Sequence, residues 1–460
     1  MQDQAASTGI AAPADLLKVE THGIDAIPAA ERRGRSRDIG LLWAGAFVNY
    51  ASLLTASLLT TYYGLGVWDG FAALLLGTAC GAVILGLVSN TGPRTGLPQI
   101  IFTRRVFGGA GAHAGAFLTL FLAVGWFAVD CVIAAQAGVQ LLTVAGTPAA
   151  AAGRFLFPWT VAVAAISVAV AVLGHRTIQV FEKYGAIVFG LLSAVLFALL
   201  ATRMHWTAGP SLTGAAYPGA FALGFMSCFA LVASWFPFAS DYSRYLPAAT
   251  APRQLTWWVA AGVTAPVALV GLFGLLLPTI DPSLAASQGV LAVITRHAPA
   301  AIAVPFFAFV VAGEIWANYL DVYTAGLVTL AMGIRLQRWQ TALGCGLLGT
   351  ALACYAVLVR DFHVAYEQFL ILTYLWAPAW AAVVLLAFFA LGYGSRRAAV
   401  AGWAAGTAGG LVFVNYPNVF GAGHYFNAAL ISALHGADLS GLISVAVAAA
   451  VYLGVRKTAT

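Results

Sequence analysis

FMSCFALVASWFPFASDYSRYLP, residues 225–247, is an apolar run long enough to enter a bilayer, interrupted in its middle by Ser234, Trp235 and Pro237. Proline removes a helix hydrogen bond and its ring collides with the preceding turn, so this segment is expected to be a broken span. Backbone freed at that depth is tolerated only where it lines a cavity. A second polar interruption lies near the N-terminus, where Gly45, Asn49, Tyr50, Ser52 and Thr55 fall within residues 38–63.

Outward from these two breaks, twelve stretches approach or exceed the roughly 20 apolar residues that a spanning helix needs. They are 38–63, 70–90, 112–142, 157–174, 180–201, 218–240, 254–278, 300–333, 340–358, 364–392, 398–416 and 438–455. The breaks fall in the first and sixth spans. Weakened segments five spans apart are the hydropathy signature of a transporter made of two five-span repeats, with the ligand held midway by the broken helices. An odd repeat length forces the second repeat to be inverted. The expected architecture is an all-α integral membrane protein of about twelve transmembrane helices: a tail at 1–37, repeats at 38–201 and 218–392, and two accessory spans within 398–455.

Composition agrees, with 61% hydrophobic and 8% charged residues, against roughly 25% charged in a soluble domain. Eighteen of the 22 basic residues fall in the tail or in every second gap between spans, among them Arg32, Arg33, Arg35, Arg37, Arg94, Arg104, Arg105, Arg244, Arg253, Arg396 and Arg397. Arg154, Arg203, Arg296 and Arg360 are the exceptions. This asymmetry places both termini on the cytoplasmic side of an inner or plasma membrane. The net charge of +6 is spread over many loops, so it speaks for topology and an anionic lipid bilayer as partner, and against nucleic acid. The opening Met1-Gln2-Asp3 has no charged stretch leading into a short apolar core, so no cleaved signal is expected, and the tail to about Gly34 is expected to be mobile.

The five cysteines lack CxxC or Cys/His spacing and the eight histidines are unpaired in sequence, which implies no metal centre and no cofactor. No loop can hold a soluble catalytic domain, and neither GxxxxGK[ST] nor HExxH occurs. Primary pumps and most membrane enzymes are disfavoured. A secondary transporter is the default, with an uncoupled channel or facilitator, or a membrane-embedded enzyme, as the competing classes.

Three acids lie well inside spans: Asp130, Glu314 and Asp321. Each costs about 2.5–3.5 kcal/mol at mid-bilayer even on the lenient insertion scale. Residues four and seven apart share a helix face, so Glu314, Asn318 and Asp321 form one polar stripe, and Trp126 and Asp130 set an aromatic plate beside an acid. That pairing suits a flat ligand with hydrogen-bonding edges. The competing reading makes the acids interhelical glue and Trp126 simple packing. Gly92-Pro93-Arg94 and the Asp241/Arg244 pair are read as turn and helix-end structure, with gating as the alternative.

Five runs carry a resemblance: NTGPRTGLPQIIFTRRVFG at 90–108, GWFAVD at 125–130, SWFPFASDYSRYLP at 234–247, ANYLDVYTAGL at 317–327 and YEQFLILTYLWAP at 366–378. Together they resemble the purine-cytosine permeases of the nucleobase:cation symporter family, over about residues 38–392. The resemblance implies a leucine-transporter-like 5+5 inverted repeat. It further implies alternating-access uptake of a nucleobase or related small heterocycle, coupled to sodium or protons. It assigns ring stacking to Trp126, edge contacts to Ser234 and Asn318, and pocket lining to Val232 and Ala233.

Two positions depart from the family pattern. Asp130 stands where many members carry asparagine or a small residue, and an acid facing the ligand implies either a changed substrate preference or a proton acceptor. Sodium-coupled members place Ser, Thr or Asn in span 8 opposite span 1 carbonyls, whereas the matching positions here are Gly313, Trp316 and Ala317. A hard cation needs several oxygens, so coupling is expected through protons at Glu314 or Asp130. A sodium site completed by backbone near Gly45 and Val48 is the alternative.

Overall fold

The computed structural model describes residues 25–173, 176–210, 212–334, 336–359, 362–393, 395–415 and 427–458. The tail before Asp25 and the exceptional Arg360 lie outside them. The first half of the chain contains α1 Ser36–Phe47, α2 Tyr50–Thr61, α3 Val67–Ser89, α4 Thr91–Thr95, α5 Gln99–Val144, α6 Ala149–Ala152, α7 Leu156–Leu173 and α8 Arg176–Leu200. The second half contains α9 Ala216–Ala233, α10 Ala239–Ser243, α11 Pro252–Leu276, α12 Pro282–Gln288, α13 Val290–His297, α14 Ala300–Ala331, α15 Arg338–Val359 and α16 Phe362–Leu385. α17 Arg396–Phe413, α18 Ala428–Ala433 and α19 Ser440–Thr458 close the chain.

Among the described residues, nine helices are long and apolar enough to cross a membrane, ten when α1 and α2 are taken as one span bent by 60°. The fifth expected span contributes a shorter apolar stretch, Ile187–Arg203, and the eleventh is the 18-residue α17. The protein is a multi-pass, all-helical membrane protein.

Both expected breaks are present, and their chemistry is visible. α1 stops at Phe47 and α2 restarts at Tyr50, with Asn49 extended between them. The Asn49 carboxamide accepts from the Ser52 N–H at 2.9 Å and donates to the Ala46 carbonyl at 2.9 Å, while the Ser52 hydroxyl donates to the Phe47 carbonyl at 2.9 Å. Two polar side chains thus satisfy the orphaned helix ends, which buried backbone requires. In span 6 the α-helix ends at Ala233, a 3-10 turn covers Phe236–Phe238, and α10 adds five residues. The Ser234 hydroxyl caps inward onto the Leu231 carbonyl at 2.9 Å.

Close helix contacts set the rest. α14 lies along α5, α11 packs on α1, α2 and α3, and α17 and α19 pair beside α16. At the α1–α11 crossing, a Cβ on Gly262 would come within 2.1 Å of the Gly40 carbonyl; only glycine permits that approach.

Two expectations need correction, and one connecting segment adds helices that hydropathy does not name. The third span begins earlier than residue 112: α5 starts at Gln99 and bends at Gly108, whose φ of 72° is open to glycine, so its first turns form a separate leg. The segment between spans 7 and 8 carries the paired helices α12 and α13; α12 is capped by the Asp281 side chain on the Leu284 N–H. The end of the tail is docked. Ile27 is buried and its N–H donates to the Gly96 carbonyl at 3.0 Å, while Arg32 donates to the carbonyls of Ile27 (2.8 Å), Pro93 (3.0 Å) and Thr95 (3.4 Å).

Candidate substrate and coupling site

The break between α1 and α2 opens onto a cavity of about 450 Å³ walled also by α5, α8, α9 and α14. From the break come Gly45, Val48, Asn49 and Tyr50; from α5, Trp126 and Asp130; from α14, Gly313, Glu314, Trp316, Ala317 and Asp321. Leu231 and Trp235 flank the second break on the same wall. Among the described residues, no Lys, Arg or His lines the cavity.

Asp130, Glu314 and Asp321 are 4%, 2% and 5% exposed, so none of the three faces lipid. All three lie on the wall of one cavity, near enough for their carboxyl groups to interact. An ionised carboxylate only accepts, so a hydrogen bond between any two of these acids requires a proton on one partner. Glu314 stands beside Tyr50, the first residue of α2, on the cavity wall. A helix N-terminus favours negative charge there, so the broken span meets the acids through its dipole.

Trp126 is braced at right angles by Phe369, centroids 5.3 Å apart, and by Tyr366 at 6.1 Å. Tyr366 is tied in turn to Thr55 of α2 through a 2.8 Å hydroxyl pair. The Trp126 Nε1 has no hydrogen-bond partner among the described residues.

Of the residues singled out from sequence, Trp126, Asp130, Gly45, Val48, Gly313, Glu314 and Ala317 meet at this cavity. Val232, Ala233, Ser234 and Asn318 are fully buried and stand outside its wall. Asn318 has turned from the expected stripe toward neighbouring spans, where its Nδ2 donates to Cys131 Sγ at 3.2 Å and Ser167 Oγ at 3.3 Å. Sequence reasoning passed over Asp321 and Trp235 as site residues. Asp321 carried a signal, since it lies seven residues from Glu314; Trp235 carried only its place beside the break.

Among the described residues no group of His, Cys, Asp and Glu is arranged to hold a metal ion. A cavity between two broken helices, inside a bundle of membrane-spanning helices, defines a secondary transporter. The model of the family described as permease for cytosine/purines, uracil, thiamine, allantoin matches residues 26–401, and the chain belongs to that family. The Bacillus subtilis protein YxlA, named as a candidate purine-cytosine permease, is 28% identical over 395 residues, 83% of this chain and 81% of its own. Purine-cytosine permease fcyB of Emericella nidulans is 23% identical over 264 residues, 57% of this chain and 50% of its own. The fold is shared with Mhp1, a nucleobase-cation-symport-1 family transporter, in a closed conformation with bromovinylhydantoin bound: TM-score 0.73, 14% identity, 96% of this chain and 95% of that one.

Proposed function

We propose that this chain imports a nucleobase or a related small flat heterocycle by alternating access, driven by protons carried on Asp130, Glu314 and Asp321. The observation that carries the reading is the gathering of three buried acids on one cavity that holds Trp126 and, among the described residues, no basic side chain. Like charges close to one another resist joint ionisation, so the cluster binds a proton while closed and releases it when water enters from one side. Trp126 supplies a stacking face, and its free Nε1 a donor. The relatives' names support the ligand class.

In this reading the repeats are 38–201 and 218–392, residues 398–455 are accessory, and both termini are cytoplasmic by the distribution of basic residues. The sodium alternative places the ion among Gly45, Val48, Gly313 and Ala317, which line the cavity without side-chain oxygens.

Radiolabelled cytosine uptake into proteoliposomes, competed with purines, pyrimidines and hydantoins under separate sodium and proton gradients, tests the proposal. An inward pH gradient should drive accumulation without sodium. Glu314→Gln or Asp130→Asn should abolish accumulation while exchange across the membrane persists. Strict sodium dependence without response to pH, or concentrative uptake in both variants, would overturn proton coupling.

A further inference from the structure

A smaller cavity of about 130 Å³ lies beyond Tyr50, which walls both chambers. It is bounded by Gln136, Val139 and Gln140 of α5, by Gly153 and Leu156, and by Gln288, Gly289 and Leu291 of the α12–α13 pair. At about 100° per residue, Trp126, Asp130, Gln136 and Gln140 fall within an arc of about 120° on α5. One helix face therefore runs from the amides to the carboxyl cluster. Tyr50, buried at the first residue of α2, is the partition between them.

Three glutamines border one cavity beside an apolar bundle, Gln136 and Gln140 half-buried and Gln288 exposed, so their amides are within reach of a ligand arriving from solvent. Gln140 Oε1 accepts the Thr295 hydroxyl of α13 at 2.7 Å, which fixes the amide and leaves its NH2 free to donate. A carboxamide offers a donor and an acceptor side by side, the complement of a nucleobase edge. The volume is close to the roughly 150 Å³ that takes up benzene in an engineered cavity. Among the described residues no acid or base lines it, so a neutral ring fits and an ion does not.

We propose that this chamber is a second, weaker docking site for an uncharged heterocycle, built by Gln136, Gln140 and Gln288, from which the ligand passes Tyr50 into the central cavity. This inference rests on the heterocycle reading of the central site. Equilibrium binding of radiolabelled cytosine to the full chain in nanodiscs should count two molecules per chain. Trp126→Ala should weaken the tighter one by about one to two orders of magnitude. Gln136→Leu combined with Gln140→Leu should weaken the second at least about tenfold, the cost of lost polar pairing, and leave the tighter affinity unchanged within about twofold, which also reports folding. One molecule per chain, weakened in Trp126→Ala and indifferent to the glutamine changes, would overturn the outer site and leave the central one standing. Two molecules with the second untouched by the double variant would also overturn it. No cytosine bound by the wild-type chain would remove both readings together.

Discussion

Trp126 and Asn318 show how neighbours decide what a side chain does. Trp126 is held by Phe369 and Tyr366 and still borders the cavity, so its role is to offer a preset aromatic surface. Stacking on such a surface is worth roughly 1–3 kcal/mol per base. Trp126→Ala should therefore weaken cytosine binding by about one to two orders of magnitude, with near-normal melting temperature; unchanged affinity would take Trp126 out of the site. Asn318 has the same family assignment but joins Cys131 and Ser167. Asn318→Ala should lower stability by about 1 kcal/mol, the net worth of a buried hydrogen bond, and leave the order of preference among competing bases as it was. A changed order in the competition assay would return Asn318 to the ligand.

At the scale of the element, the two breaks differ in how they are sealed. Span 1 is interrupted by a residue in extended conformation whose side chain bonds both helix ends, and span 6 by a proline-bearing 3-10 turn. Asn49→Ala removes the cap of α2 and should cost about 1 kcal/mol. Asn49→Asp keeps the acceptor for Ser52 but not the donor to Ala46, so it should recover part of that loss. Hydrogen exchange at Tyr50–Leu53 and thermal melting in detergent read the difference; equal exchange in all three proteins would mean that packing alone holds the break. The polar residues inside apolar runs made both breaks legible in sequence. The bend at Gly108 was not legible, because its cause is one backbone angle.

Across the whole molecule, the carboxyl cluster lies deep in the bundle while the end bearing most basic residues is tied shut. Asp241 accepts the Gln99 N–H at 2.7 Å, the Ser243 hydroxyl donates to the Ser89 carbonyl at 2.6 Å, and Arg32 clamps the tail onto the α4 turn. Alternating access requires one end to part, so these ties weight the balance between states. Arg32→Ala removes a cation from three carbonyls and should favour opening at this end. A cysteine introduced at Thr103 should then react faster with a polar maleimide, without change in melting temperature; unaltered labelling would show that the docked tail bears no part of the closure.

The amino-acid sequence alone determined the membrane class, the helical content, the positions of both breaks and the acids inside spans, because the bilayer punishes polar groups at those depths and leaves the exceptions visible. Family motifs added the transporter class. Only the tertiary structure decided which polar residues meet. Glu314, Asn318 and Asp321 share a helical stripe, yet two turn to the cavity and one to α5 and α7, since a stripe about 60° wide at 3.6 residues per turn can straddle the boundary between a cavity and a packed interface. Periodicity names the face of a helix, and the neighbours packed against that face divide it.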